Sequence, residues 1–420
     1  MSKMKESGIA WVGDMPANWT VKRGKYTLNL LNRPVEDSDE VITCFRDGEV
    51  TLRKNRREDG FTVSLKEIGY QGLEPGDLVI HGMDGFAGAI GISDSRGKSS
   101  PVLVVCDSDE NKKYIMYYLR SMAYNDVFTA LATGIRVRSC DLRWNKLAEL
   151  PYILPSLEEQ NKIVQAIDND TAKVEALIAN VQAQIEKLKV YKQTLITEAA
   201  TKGLDTTVPM KDSGVKYIGR IPSHWVVFKT KRITTDHLQG YYDSDGYTLS
   251  GYRLLRITDL LGDGKLSVTN APYVKETKGI NKFVLQQGDF CFARTGGAGL
   301  FGFVSEDIEP SVFASYLIRF RFKNQYNPFL KYVFLTYSFQ AEIDSLIHGA
   351  VNRNVHAENI LDTHIAIPPI EEQITIVSYL DEKCSQIDRL ILTKQAKIDK
   401  LNEYKKSLIY EYVTGKKEVQ

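Results

Sequence analysis

Two stretches of the chain carry apolar residues at alternating spacings of three and four. In the first, Val174, Leu177, Val181, Gln184, Leu188, Tyr191 and Leu195 form the stripe, within a run from Glu158 to Ala200 that contains neither Pro nor Gly. Such spacing, in a segment dominated by Ala, Glu, Lys, Gln, Leu and Ile, predicts a long helix with a coiled-coil seam and one polar seam position. Pro155 and Ser156 supply its start and Gly203 its stop. The second stretch runs from Glu371 to about Val413, with the stripe Ile387, Leu390, Lys394, Ile398, Leu401, Tyr404 and Leu408. One such stripe could equally pack on its own domain or pair with another helix. Two matching stripes, one in each half of the chain, favour pairing with each other.

Between and before these stretches the period shortens. Pro101-VLVVC, Tyr316-LIRFRF and Gly302-FV are short β-rich runs, separated by turns such as DGFAGAIG, RTGGAGLFG and LGDGKL. Helical patterns occur at 111–126 and at 328–347. Each half therefore reads as an α/β (α+β) globular stretch ending in a long helix.

The halves are copies. SGIAWVGDMPANW at 7–19 returns as SGVKYIGRIPSHW at 213–225, SLEEQNKIVQAID at 156–168 as PIEEQITIVSYLD at 369–381, and YKQTLITEAATKG at 191–203 as YKKSLIYEYVTGK at 404–416. Weaker echoes link LEPGDLV at 73–79 with LQQGDFC at 285–291, and MDGFAGAIG at 83–91 with RTGGAGLFG at 294–302. Duplication implies a pseudo-twofold molecule. The expected organisation is a first domain at 1–155, a central helix at 156–203, a second domain at 204–367 and a C-terminal helix at 368–420.

Composition narrows the chemistry. With 420 residues, 43% hydrophobic and 25% charged, the chain is globular and long enough for more than one core. Its five cysteines are scattered without a C-x-x-C pair, which suggests neither a disulfide framework nor a thiolate metal site and fits a reducing cytoplasm. No apolar run reaches the ~20 residues of a membrane span, and no signal-peptide pattern opens the chain. The net charge of +1 means that any polyanion must be met by local patches. Gly91-ISDSR-Gly97-Lys98-Ser99 has one residue too many between its glycines for a phosphate loop. Asn327-Pro328-Phe329 lacks the second proline of an amino-methyltransferase motif and reads as a helix start. The six histidines form no H-E-x-x-H and no nuclease-like carboxylate cluster stands out, so the histidines are read as structural or exposed.

Local basic clusters do occur. Arg53, Lys54, Arg56 and Arg57 share one loop, Arg96 and Lys98 another, and Arg136, Arg138 and Arg143 follow. In the second half Tyr241, Tyr242, Arg253, Arg256, Arg294, Asn352, Arg353 and Asn354 are residue types that reach phosphates and base edges.

Over residues 7 to 416 the chain resembles the specificity (S) subunits of type I restriction-modification systems. The paired opening motifs and the paired P-SLEEQ and P-PIEEQ helix entries, in duplicated order, carry that resemblance. It implies two target recognition domains, each reading half of a split double-stranded DNA sequence, joined by two long helices in an antiparallel coiled coil that sets the unread spacer. Forty-odd helical residues span on the order of 60 Å, more than one turn of B-DNA. The resemblance also implies two modification subunits that methylate adenine with S-adenosylmethionine, and restriction subunits that use ATP and Mg. The chain itself would be non-catalytic, bind no cofactor or metal, and work in the cytoplasm. Recognition domains of this family diverge, so contact residues do not transfer by motif. The expected DNA-binding residues are Arg53, Lys54, Arg56, Arg57, Arg96, Lys98, Arg136 and Arg138 in the first domain, and Arg294, Thr295, Asn352, Arg353 and Asn354 in the second. Trp11, Pro16, Trp19, Tyr217, Pro222 and Trp225 are expected to be core. Glu158, Glu159, Gln160, Glu371, Glu372 and Gln373 are expected to be exposed and available for docking the modification subunits. A stand-alone DNA enzyme lacks a cofactor loop here, and a bare coiled-coil scaffold leaves both globular stretches without a role.

Overall fold

The structure is a computed structural model that describes residues 3–56, 67–130, 142–242, 246–295, 297, 299–306, 308–347 and 354–419. The chain forms two compact units, residues 1–182 with 395–420, and residues 183–394. Each holds one globular region and a part of both long helices.

In the first unit the central element is an antiparallel sheet in the order Asn29–Leu30, Leu103–Asp107, Leu78–His81, Ile90–Ile92. Its middle strands are continuous apolar runs because both faces are covered. Leu78, Ile80, Val104 and Cys106 join the core of the helix Lys112–Tyr124, while Val79, Leu103 and Val105 join a smaller core with Ile42, Cys44 and Val50.

The second unit repeats this plan with larger side chains. Its sheet runs Thr234–Gln239, Leu317–Phe322, Phe290–Ala293, Phe301–Phe303. Phe290, Phe292, Ile318 and Phe320 pack with the helices Asn327–Leu335 and Tyr337–Leu346, and Cys291, Ala293 and Leu317 with Leu255 and Phe313. On the latter side lies a three-stranded sheet in which Tyr252–Leu255 runs antiparallel to Tyr273–Val274 and parallel to Ser311–Phe313. The single helix expected at 328–347 is two. Thr336 adopts extended backbone between them and its Oγ1 accepts the Phe339 amide at 3.2 Å, capping the second helix.

The long helices are Leu157–Lys202 and Ile370–Val413. In the first unit Lys405 pairs with Glu175, and both the Tyr412 hydroxyl and Lys417 reach Asp170. In the second, Lys394 donates to Gln184 at 2.5 Å and Lys192 pairs with Asp388 at 2.7 Å. Within each unit one helix's numbering rises as its partner's falls, so the pairing is antiparallel. The seam departs from the expected one in phase. Val174, Val181, Ile387, Ile398 and Leu408 are buried, and Leu188, Leu195 and Leu401 are half-buried. Leu177, Tyr191, Leu390 and Tyr404, by contrast, are 50–57% exposed. Their places are taken by Ile178, Lys192, Ile391 and Lys405, one residue on.

The duplicated motifs build the same joint in each unit. The Trp19 indole donates to Glu159 at 2.9 Å, and the Trp225 indole to Glu372 at 3.1 Å. Gln160 donates to the Pro155 carbonyl at 3.1 Å and accepts the Asn111 amide at 2.9 Å; Gln373 does the same with Pro368 and Tyr326, both at 2.9 Å. Asn111 and Tyr326 are the N-cap residues of the domain helices, so each glutamine ties a domain helix to the start of a long helix. The Asp168 and Asp381 carboxylates accept the Tyr117 and Tyr332 hydroxyls. Hence Glu159, Gln160, Glu372 and Gln373 are not free docking groups: a buried amide or indole N–H needs an acceptor, and these side chains supply it. Glu158 and Glu371 remain exposed. Trp19, Pro16, Trp225 and Pro222 are core as expected, whereas Trp11 is half-buried against Tyr118 and Tyr410.

Candidate nucleic-acid interface

Each globular region carries an open groove at the same place on the repeated frame. In the first, strand Leu78–His81 ends at Gly82, whose amide donates to Val102 at 2.8 Å and whose carbonyl accepts from Leu142 at 2.9 Å. In the second, Phe290–Ala293 ends at Arg294, whose amide donates to Tyr316 at 2.8 Å and whose carbonyl accepts from Val355 at 2.7 Å. Gly82 and Arg294 are therefore equivalent, as are Val102 and Tyr316. A groove of about 720 Å³ beside this point includes Val102, Arg46, Arg53, Arg56, His81 and Asp84. In the second region a groove of about 510 Å³ includes Tyr316, Tyr241, Tyr242, Tyr247 and Arg256.

The linings differ in chemistry. In the first groove Arg46 pairs with Asp84 at 2.9 Å, and Arg56 pairs with Asp47 at 2.8 Å and lies 4.2 Å over the Phe45 ring. Arg53 Nε donates to the Thr43 hydroxyl at 3.3 Å. The second groove is aromatic, with Tyr242 78%, Tyr247 67% and Tyr316 60% exposed. Tyrosine offers a flat apolar face and a hydroxyl at low entropic cost, both suited to a nucleic-acid surface.

Burial of the partner carboxylate sorts the basic residues. Arg56 pairs with Asp47, whose side chain is 56% exposed, and Lys54 and Lys98 pair with Glu40 and Glu67 at 52% and 46%. Water replaces such cations at little cost, so they are available to phosphate. Arg96 bonds Glu36, Glu74 and Asp39, the last only 1% exposed. Arg256 likewise chelates Asp259, 6% exposed, and Arg321 the buried Asp289. Removing these guanidiniums would strand a buried carboxylate, which assigns Arg96 to the fold rather than to a ligand.

Of the remaining expected residues, Arg294, Thr295 and Asn354 are half-buried and are brought together by the Val355–Arg294 bond. Among the described residues the Arg294 side chain has no ion-pair partner. Arg57, Arg136, Arg138, Asn352 and Arg353 lie outside the described residues. Sequence reasoning missed Arg46, His81, Tyr247 and Tyr316, which only the fold gathers at the grooves.

Burial pushes the Cys44 and Cys106 thiols up to about 12, away from the reactive thiolate. Among the described residues no group of three or more His, Cys, Asp or Glu is placed to hold a metal ion. No described helix is long and apolar enough to cross a membrane.

The two grooves thus share one frame and differ in their linings. A family model for the type I restriction modification DNA specificity domain matches residues 251–403. The type I restriction enzyme MjaVIII specificity subunit of Methanocaldococcus jannaschii is 27% identical over 320 residues, 73% of this chain and 72% of that protein. The EcoKI specificity subunit of Escherichia coli is 19% identical over 438 residues, 96% of this chain and 90% of that protein. A chain solved in work on complex assembly and conformational transition of a type I restriction-modification system shares the fold, with a TM-score of 0.68, 14% identity and coverage of 95% of this chain and 98% of that one. Over residues 251–403 the chain carries a match to the type I restriction modification DNA specificity domain, and over most of its length it is similar to the specificity subunits of type I restriction enzymes.

Proposed function

We propose that the chain reads a bipartite double-stranded DNA target, one half-site per groove, and that the paired helices set the spacer between them. In this reading Arg46, Arg53, Lys54, Arg56 and Lys98 serve the first half-site, and Arg294, Thr295, Asn354 and the groove tyrosines the second. Arg57, Arg136, Arg138, Asn352 and Arg353 are assigned to the same surfaces from sequence. One observation carries the proposal: two equivalent grooves keep one frame yet exchange their linings, basic in one and tyrosine-rich in the other. A metabolite site duplicated with its function would keep its lining; two readers of different base sequences would not.

The chain would scaffold two modification subunits and the restriction subunits, with S-adenosylmethionine, ATP and Mg bound by those partners in the cytoplasm. The test is adenine-methylation mapping in a methylation-free host expressing this chain with its modification subunit. A split motif that depends on this chain supports the reading. No methylation, from an assembled complex whose modification subunit works with another specificity chain, would refute it.

A further inference from the structure

We infer that His81 reads a base in the first half-site, donating from Nε2–H to the N7 of an adenine whose N6 amino group is accepted by Asp84. The inference rests on the DNA-reading role proposed for the first groove. His81 and Asp84 both line that groove, with Nε2 4.0 Å from Asp84 Oδ2. The His81 Nδ1 accepts the backbone amides of Met83 at 3.3 Å and Asp84 at 3.0 Å. Backbone amides can only donate, so Nδ1 is unprotonated and the ring proton sits on Nε2. The tautomer is thus fixed by the turn, before any ligand arrives.

Burial favours the neutral ring, and Arg46 acts in the same direction against the opposing pull of Asp84. Asp84 Oδ1 is engaged by Arg46, which leaves Oδ2 as the acceptor nearest Nε2. A donor beside an acceptor matches the adenine edge in the major groove, N7 next to N6–H, and mismatches guanine, which offers two acceptors. The position is also one where the two halves differ. The equivalent of His81 is Ala293, followed by Arg294 where the first half has Gly82. A histidine kept only for the frame would be expected in both copies.

His81→Asn separates reading from structure. The asparagine oxygen can accept the same two amides as an Asx turn, but no donor extends to the Nε2 position. The variant is mapped in the complete complex with the modification subunit, beside the wild-type chain. Discrimination for adenine is expected to fall roughly five- to a hundredfold at one position of the first half-site, with the second half-site unchanged. Asp84→Asn replaces the acceptor with a donor and is expected to move the preference at that position toward guanine. An unchanged motif in both variants, or an equal loss at every sequence, would overturn the inference while leaving the wild-type motif, and with it the functional reading, in place. A wild-type complex that directs no methylation would overturn both.

Discussion

Gln373 offers a direct measure of how firmly a recognition domain is fixed to its helix. The side chain is 1% exposed and donates to Pro368 and to Gln325, while its oxygen accepts the Tyr326 amide, all at 2.9 Å. Gln373→Leu conserves approximate volume and leaves the Tyr326 N–H and the Pro368 carbonyl without a protein partner; Gln325, half-buried, can turn to water. At about 1–3 kcal/mol for each of the two stranded buried groups, the expected loss is about 2–6 kcal/mol. That is a large part of the ~5–15 kcal/mol that holds a typical domain. Urea denaturation followed by circular dichroism measures it, with Gln160→Leu as the duplicate test in the first unit. Glu371→Ala, exposed two residues away, is the control and should stay within about 0.5 kcal/mol. A Gln373→Leu loss below about 0.5 kcal/mol would refute the joint, and normal stability with failed assembly would return Gln373 to a docking role.

Gly415→Ala should destabilise the first unit by at least ~1 kcal/mol, because φ is +72° and the new Cβ would lie 2.3 Å from Pro16 Cδ; Gly203→Ala, whose nearest contact is Glu372 at 3.1 Å, should cost less, and thermal melts of both variants check the order. Replacing the polar seam pair Gln184 and Lys394 with Leu and Ile together should raise stability by about 1 kcal/mol in the same melts, since an apolar seam needs no desolvated amine. His81 is held neutral in the fold below its ordinary value of 6.5, so the unfolded chain takes up the proton first; stability should fall as pH drops below 6.5, and less so in His81→Asn when denaturation midpoints are compared across pH. The isolated chain, with net charge +1 and with Arg46 and Arg56 of the first groove already paired to carboxylates, should bind DNA weakly and gain affinity in complex with modification subunits; tight specific binding by the chain alone in a salt titration would contradict this.

The duplication, the two helices and the mixed α/β domains were legible because they rest on local periodicity and on repeated motifs. The seam phase was not. Leu177 and Ile178, like Leu390 and Ile391, are adjacent apolar pairs, so a period of three and four can be threaded through either member. Packing selects the isoleucines and leaves the leucines about half exposed. Arg96 was misread for a different reason. Arg96 looks free in sequence because Asp39, Glu36 and Glu74 are all more than twenty residues away, and only the fold brings them to it. The buried glutamines left one usable signal: the same Gln, in the first turn of a helix entered through Pro, in both copies.

The two copies also show how reading can vary while the fold stays. Asp77 and Asp289 each accept their own turn amide, from Glu74 at 2.8 Å and Gln286 at 2.9 Å, and each binds an arginine, Arg33 or Arg321. Those arginines come from different places, Arg33 from an isolated β-bridge after Asn29–Leu30 and Arg321 from the strand Leu317–Phe322, so the frame preserves the buried carboxylate's needs and not the identity of the donor. Groove residues such as Arg56 and Tyr242, unlike Arg256 with its buried Asp259, obey no such constraint. Arg56 and Tyr242 sit where their loss exposes no buried partner, so a change there alters the ligand surface at a cost near that of any exposed substitution. A single base contact is worth about 1–3 kcal/mol, several times that cost. Specificity can therefore drift by steps that each leave a folded protein, provided that the tryptophan, glutamate and glutamine joints at the helix starts are left alone.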